Sequence, residues 1–302
     1  MKRNAYKARD GKELSLVSWD NVAAPVAVVQ ILHGMSEHIA RYDDFANALN
    51  KAGFIVIGED HRGHGYTDND RLGLIEEGKN IFEETVSDAI ELTAYAKVKY
   101  RLPVIIFGHS YGSFLLQRYI SYTSSQIHGA ILCGSACMEG LIVNASCLLT
   151  RNKNKPNACD KPGKFFADVT FGAYDKAYKG EGKNAWLSRD KEQVEKYNAD
   201  PLCGFTCSMG FYHYFFRGFK ALKQSHHLKL RKDLPLFIIS GSDDKVGGDG
   251  KLVFKLEEKY KKLGLKPTLR LYKDARHELL NEINKAEVYE DVINFVNSCL
   301  PL

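Results

Sequence analysis

The stretch "FGHSYGS", residues 107–113, sets a serine between two glycines in the pattern G-x-S-x-G: Gly108, Ser110 and Gly112. A serine hydroxyl attacks a carbonyl only when a base takes its proton. Histidine is the usual base, and a carboxylate orients it and balances the charge it acquires. Both types follow the serine in the chain. "PLFIISGSDDKVG" carries Asp243 and Asp244, and "LRLYKDARHELLNE" carries His277. The order Ser, acid, His, each just past an apolar run, is the order expected when the serine stands on a strand-to-helix turn. Residue type and order leave both aspartates open, with Asp244 preferred. In a chain with 25 glycines among 302 residues, G-x-S-x-G also arises by accident. The flanking elements must therefore carry the reading.

Short apolar runs rich in Val and Ile occupy residues 24–34, 54–60, 102–108, 127–136, 234–241 and 268–275. They read as buried strands. Apolar residues recur at helical spacing over 41–53, 81–100, 112–123, 250–264 and 285–300. Alternating strands and helices predict a parallel sheet covered on both faces, with ligands at the carboxyl edge of its strands. Ser110 falls on the turn between the run at 102–108 and the helix that follows. There the backbone N–H groups and the helix dipole favour a developing oxyanion. The N–H of Tyr111 is one candidate donor. The loop "ILHGMSEH", after an early strand, offers a second, the N–H of Met35.

The alternation breaks once, between the runs at 127–136 and 234–241. The intervening stretch reads as helical and irregular, with a basic loop at 150–164. It is expected to form a cap over the carboxyl edge of the sheet. Within it, "GFTCSMGFYHYFFRGF" (204–219) repeats Phe211, Phe215 and Phe219 every four residues, and Tyr212 and Phe216 likewise. On a helix these make a broad aromatic face. That face is either the core of the cap or the wall of an acyl pocket, with Phe211 and Phe215 as the pocket candidates. Trp186 has no place assigned by this pattern.

Composition narrows the classes. The net charge is +5, from 42 Lys and Arg against 37 Asp and Glu. That is mild, and no nucleic-acid-binding signature accompanies it. No apolar run is long enough to span a bilayer. The first residues, "MKRNAYKARDGKELSL", lack the apolar core of a secretory signal. At most, peripheral contact with lipid through the cap is expected. The seven cysteines include two C-x-x-x-C pairs, Cys133/Cys137 and Cys203/Cys207, and no C-x-x-C. Reduced, packed thiols and a cytoplasmic location are the expectation. "HELLN" has Asn281 where a zinc site of the H-E-x-x-H type needs histidine. His61 and His64 in "DHRGHG" read as parts of a tight loop, and His226 and His227 as surface residues. "GGDGK" (247–251) lacks the full phosphate-loop pattern. No metal and no organic cofactor are expected.

Taken together, "HGMSEHIARY" (33–42), "DHRGHG" (60–65), "GHSYGS" (108–113), the aspartate loop at 241–246 and "RHELLNE" (276–282) resemble the α/β-hydrolase fold. Within it they resemble the monoacylglycerol lipase and lysophospholipase branch, also called serine aminopeptidase-like. The likeness covers residues 1–136 and 230–302. It implies an α/β architecture: a mostly parallel central sheet flanked by helices, with a mainly helical cap inserted after the sixth strand. The core would be 1–136 and 230–302, and the cap 137–229. It implies the triad Ser110, Asp244 and His277, and an oxyanion hole from the N–H groups of Met35 and Tyr111. The implied activity is hydrolysis of carboxylic esters through an acyl-enzyme, on a monoacylglycerol or a lysophospholipid. A short-chain carboxylesterase is the alternative, and a serine aminopeptidase a further one. The last needs an acidic group in the cap, for which Glu181, Glu192 and Glu195 are the candidates. Two positions depart from the family pattern: Ser113, where a second glycine is common, and Lys245, where many relatives have proline.

Overall fold

A computed structural model describes residues 1–224 and 229–300. His226 and His227 lie outside the described residues. Eight strands form one sheet: β1 (Lys2–Lys7), β2 (Glu13–Trp19), β3 (Ala27–Leu32), β4 (Phe54–Glu59), β5 (Val104–His109), β6 (Gly129–Cys133), β7 (Leu236–Gly241) and β8 (Thr268–Tyr272). Their order across the sheet is β1-β2-β4-β3-β5-β6-β7-β8. From β4 to β8 every neighbouring pair is parallel, and β2 is antiparallel to both of its neighbours.

β3 to β7 are buried along their whole length, which explains why they read as apolar runs rather than as alternating patterns. The one polar residue in the middle of β3, Gln30, has a partner at both its nitrogen and its oxygen. It donates to Ala89 O at 2.9 Å and accepts from Thr93 Oγ1 at 2.7 Å. The strands β1 and β2 are additions to the expected set. β1, "KRNAYK", is an edge strand with no buried residue and so has no apolar pattern to read.

The helices of the core are α1 (Asp43–Lys51), α2 (Ile81–Tyr100), α3 (Tyr111–Thr123), α8 (Lys251–Lys262) and α9 (Lys285–Ser298). α2 starts at Asn80, whose side chain accepts from Glu83 N, and stops at Arg101 in the left-handed region. One apolar cluster joins the sheet to α2, α3 and α8, and a second joins its other face to α1 and α9. Among the described residues between β6 and β7 lie four α-helices, α4 (Leu141–Leu149), α5 (Lys164–Ala177), α6 (Lys191–Ala199) and α7 (Met209–Gln224). The helical insertion thus follows the sixth strand. No described helix is long and apolar enough to cross a membrane. All seven cysteines are free, four of them buried.

Candidate active site

Parallel register brings the candidate residues to one edge. Leu32 of β3 pairs with Gly108 of β5, so the loop at 33–38 leaves the sheet beside the serine turn. His109 pairs with Cys133, and Gly241 of β7 with Tyr272 of β8, so the aspartate and histidine loops leave at the same edge.

Ser110 sits between β5 and α3 with φ 50° and ψ −117°. A non-glycine residue held there is strained, and such strain is the mark of a nucleophile elbow. The flanking glycines make the turn possible. A Cβ on Gly108 would lie 2.6 Å from Gly112 O, and one on Gly112 would lie 2.1 Å from Leu32 O. Both contacts are with backbone and cannot swing away. Gly112→Ala is therefore expected to cost about 3 kcal/mol, the upper end for over-packing. Urea unfolding checks it, and an unshifted midpoint would show that α3 can move off β3 freely. Ser113, the departure from the family pattern, is absorbed here. It is fully buried, its Oγ donates to Ser110 O at 2.6 Å, and it meets Ser135 Oγ at 2.8 Å.

The structure separates the two aspartates. Asp244 is fully buried, and its Oδ1 accepts from His277 Nδ1 at 3.0 Å and from Val246 N at 2.9 Å. Ser240 Oγ donates to its other oxygen at 3.0 Å. Asp243 is half-buried, and among the described residues its side chain accepts only from the neighbouring Ser242 Oγ and does not reach the histidine. Burial alone would raise the Asp244 carboxyl. The His277 charge and hydrogen bonds from His277, Ser240 and Val246 outweigh it and hold the carboxyl below its ordinary value. Burial likewise pushes His277 down, but the Asp244 charge and hydrogen bond win and raise it above 6.5. Its Nε2 is buried and has no hydrogen-bond partner among the described residues. Ser110 and His277 line the same cavity, with no hydrogen bond between them. Catalytic hydrogen bonds are commonly loose before substrate arrives.

The cavity measures about 540 Å³. Met35 and Tyr111 both line it, and neither backbone N–H donates to a group among the described residues. Phe215 is on the cavity wall, and Phe211 is not. Phe211 is fully buried against Tyr111 (5.4 Å between centroids) and His64 (5.7 Å), so the aromatic face of α7 is divided between core and pocket. Glu181, Glu192 and Glu195 do not line the cavity. Glu181 pairs with Arg276 and Glu192 with Lys196. His61 and His64 are fully buried structural residues. They pack with His33 (centroids 3.9 and 5.4 Å away) and bond to loop carbonyls.

Sequence reasoning missed three groups at the site. Trp186 packs on the His277 ring at 5.1 Å. His109, next to the serine, packs 4.8 Å from His277. Burial, and then the His277 charge, hold His109 down to about 4, so it is neutral at neutral pH. Finally, Arg41 ties the loop at 33–38 to the loop that carries His277. It donates to both oxygens of Glu278 at 2.7 Å and to Glu37 at 2.5 Å. Glu37 in turn accepts from Gly34 N at 2.5 Å, beside Met35. These contacts join residues up to 237 positions apart, and no local pattern announces them.

A family model described as "Serine aminopeptidase, S33" (Hydrolase_4) matches residues 23–284. The chain belongs to this family. It is 27% identical over 297 residues to the monoglyceride lipase of Mus musculus, covering 96% of this chain and 87% of that protein. A solved structure titled "Lipase (Open form)" is 26% identical, with TM-score 0.86 over 99% of this chain and 98% of that one. A thermostable carboxyl esterase from Bacillus coagulans, solved with glycerol, has TM-score 0.88 at 24% identity, with 99% and 98% of the two chains covered. The protein is a carboxylic ester hydrolase of the α/β-hydrolase fold, similar to monoacylglycerol lipases.

Proposed function

We propose that this hydrolase cleaves esters of a single long acyl chain, a monoacylglycerol or a lysophospholipid, with Ser110, His277 and Asp244 as its triad. Ser110 Oγ attacks the ester carbonyl while His277 Nε2 takes its proton. Asp244 fixes the tautomer with Nδ1–H and balances the imidazolium. The N–H groups of Met35 and Tyr111 hold the tetrahedral oxyanion. His277 then protonates the leaving alcohol, and the acyl group stays on Ser110. A water, deprotonated by His277, attacks the acyl-enzyme; the carboxylate leaves and the proton returns to Ser110.

The observation that carries the substrate class is the lining of the cavity. Beyond Ser110 it is walled by Phe114, Phe166, Phe171, Phe215, Phe219 and other apolar groups. Burying a methylene against such a wall is worth about 0.8 kcal/mol. Long chains therefore gain where short ones cannot. The likeness to mouse monoglyceride lipase supports the same class. Ile142, Leu149, Phe165 and Val169 both line the cavity and stand exposed on α4 and α5. They make an apolar rim at the mouth, suited to brief contact with a lipid surface while a substrate enters. In this reading residues 137–229 act as the cap of a core formed by 1–136 and 230–302.

Hydrolysis of 4-nitrophenyl esters from acetate to palmitate tests the proposal. The expected result is kcat/KM rising through medium and long chains, followed by turnover of monooleoylglycerol or lyso-phosphatidylcholine. Rates confined to acetate and butyrate would make the protein a short-chain carboxylesterase. For an aminopeptidase the three candidate glutamates drop out, since none lines the cavity; the carboxylates of the insertion that do are Asp168 and Asp175, and release of an N-terminal residue from a peptide would favour that reading.

A further inference from the structure

Away from the triad, one cluster joins three different metal-ligating side chains. A ring nitrogen of His38, a carboxylate oxygen of Asp200 and the sulfur of Cys203 lie within 4.8 Å of one another. His38 ends the loop that carries Met35, while Asp200 and Cys203 directly follow α6 in the helical insertion. His38 is only 7% exposed. Its Nε2 meets Asp200 Oδ2 at 2.9 Å, but its Nδ1 is buried with no hydrogen-bond partner among the described residues. Nε2 is the ring nitrogen that faces Asp200, so an ion held by the three side chains would take the place of that contact.

From this geometry we propose that His38, Asp200 and Cys203 form a binding site for a zinc-like divalent cation, separate from the triad and not required for ester cleavage. The donor set decides the class of ion. Imidazole nitrogen and thiolate sulfur suit zinc and its borderline neighbours, whereas calcium and magnesium want oxygen alone. Three protein ligands leave a fourth position for water, and Asp200 and Cys203 are half-buried, which leaves an approach from solvent. The two ligands of the insertion are already held in a turn. Cys203 N donates to Asp200 O at 3.0 Å, and Leu202 N to Asp200 Oδ1 at 2.8 Å.

The surrounding charge favours a cation. Arg41 is the nearby positive group, and it is bound to Glu37 and Glu278. Counting Arg41 as one positive charge and Glu37, Glu278 and Asp200 as three negative ones leaves a net of two negative charges. Burial raises the Cys203 thiol well above its ordinary value, so without a metal it keeps its proton. On binding, the metal–sulfur bond forms, the S–H bond breaks and the proton leaves to solvent.

The ion would link two segments that already touch beside the site. Gly204 N donates to Ser36 O at 2.9 Å, Tyr197 Oη donates to the same oxygen at 3.0 Å, and Ser36 Oγ donates to Phe205 O at 2.9 Å. One ion coordinated by both His38 and Cys203 would staple the insertion to the loop that bears Met35.

The test is spectroscopic. The full chain, reduced and stripped with chelator, is titrated with Co²⁺ in place of Zn²⁺. The expected result is a saturable thiolate-to-cobalt charge-transfer band at one ion per chain, erased by added Zn²⁺. Cys203→Ser should abolish the band, and Asp200→Asn and His38→Gln should each weaken Co²⁺ binding by about tenfold or more. Circular dichroism checks that each variant is folded. A wild-type protein without a saturable band, or a band that survives in folded Cys203→Ser, overturns the proposal. Should Cys203→Ser not fold, Asp200→Asn carries the decision, and unchanged Co²⁺ affinity there overturns it. Ester turnover is not read, so a failure of the triad assignment would leave this result standing.

Discussion

Ser110→Ala is expected to lower kcat for 4-nitrophenyl ester hydrolysis by about 10⁵- to 10⁶-fold while the protein stays folded. Alanine at this position keeps the backbone, but no covalent acyl-enzyme can form. What remains is water attack assisted by the oxyanion donors. A serine-directed phosphonate should label the wild type and leave Ser110→Ala unlabelled. The local geometry makes the effect specific to this hydroxyl. Ser110 is the residue held at φ 50° at the mouth of α3, and it opens onto the cavity. The neighbouring Ser113 is fully buried, and its hydroxyl is spent on Ser110 O and Ser135 Oγ. It is the natural control, and Ser113→Ala should remain labelled. If Ser110→Ala kept a tenth of the wild-type rate, another nucleophile would be doing the chemistry.

The parts of this site that could be read from the chain are those encoded by local pattern. The runs that became β3 to β7 are buried on both faces and are therefore continuously apolar. The turn at Ser110 needs two glycines, because backbone lies where their Cβ atoms would be, and that need is visible in seven residues. The parts that could not be read depend on contacts between distant segments. Asp243 and Asp244 are adjacent and chemically equal, and only burial against Ser240 and His277 sets one apart. Phe211 and Phe215 share one face of α7 by periodicity, yet the first packs under Tyr111 and the second lines the cavity. Trp186 reaches His277 from the helical insertion, across 91 positions of sequence on the scale of the Arg276 bond to Ala185. β1 had no pattern to show, since an exposed edge strand buries no side chain fully.

Asp244→Asn carries the second large effect, a fall in kcat of about 10⁴-fold. The aspartate accepts from His277 Nδ1 at 3.0 Å, which places the proton on Nδ1 and leaves a lone pair on Nε2. An asparagine amide can donate to Nδ1 instead. The proton then sits on Nε2, which cannot accept one from Ser110. The same variant should move the pH profile. The base works only as neutral imidazole, so kcat/KM rises with pH through the His277 pKa of the free enzyme and is lost as pH falls through it. In the wild type that pKa is raised above 6.5: burial lowers it, but the Asp244 charge and hydrogen bond more than compensate. Removing the charge while keeping the burial reverses the balance, so the acidic limb of the residual activity should shift below 6.5. Both readouts come from one set of kcat/KM measurements between acid and neutral pH. A variant that lost its rate but kept the wild-type limb would show that Asp244 is not the charge that sets the histidine. The carboxylates of Glu37 and Glu278, the next contributors to raising His277, would then be the groups to replace.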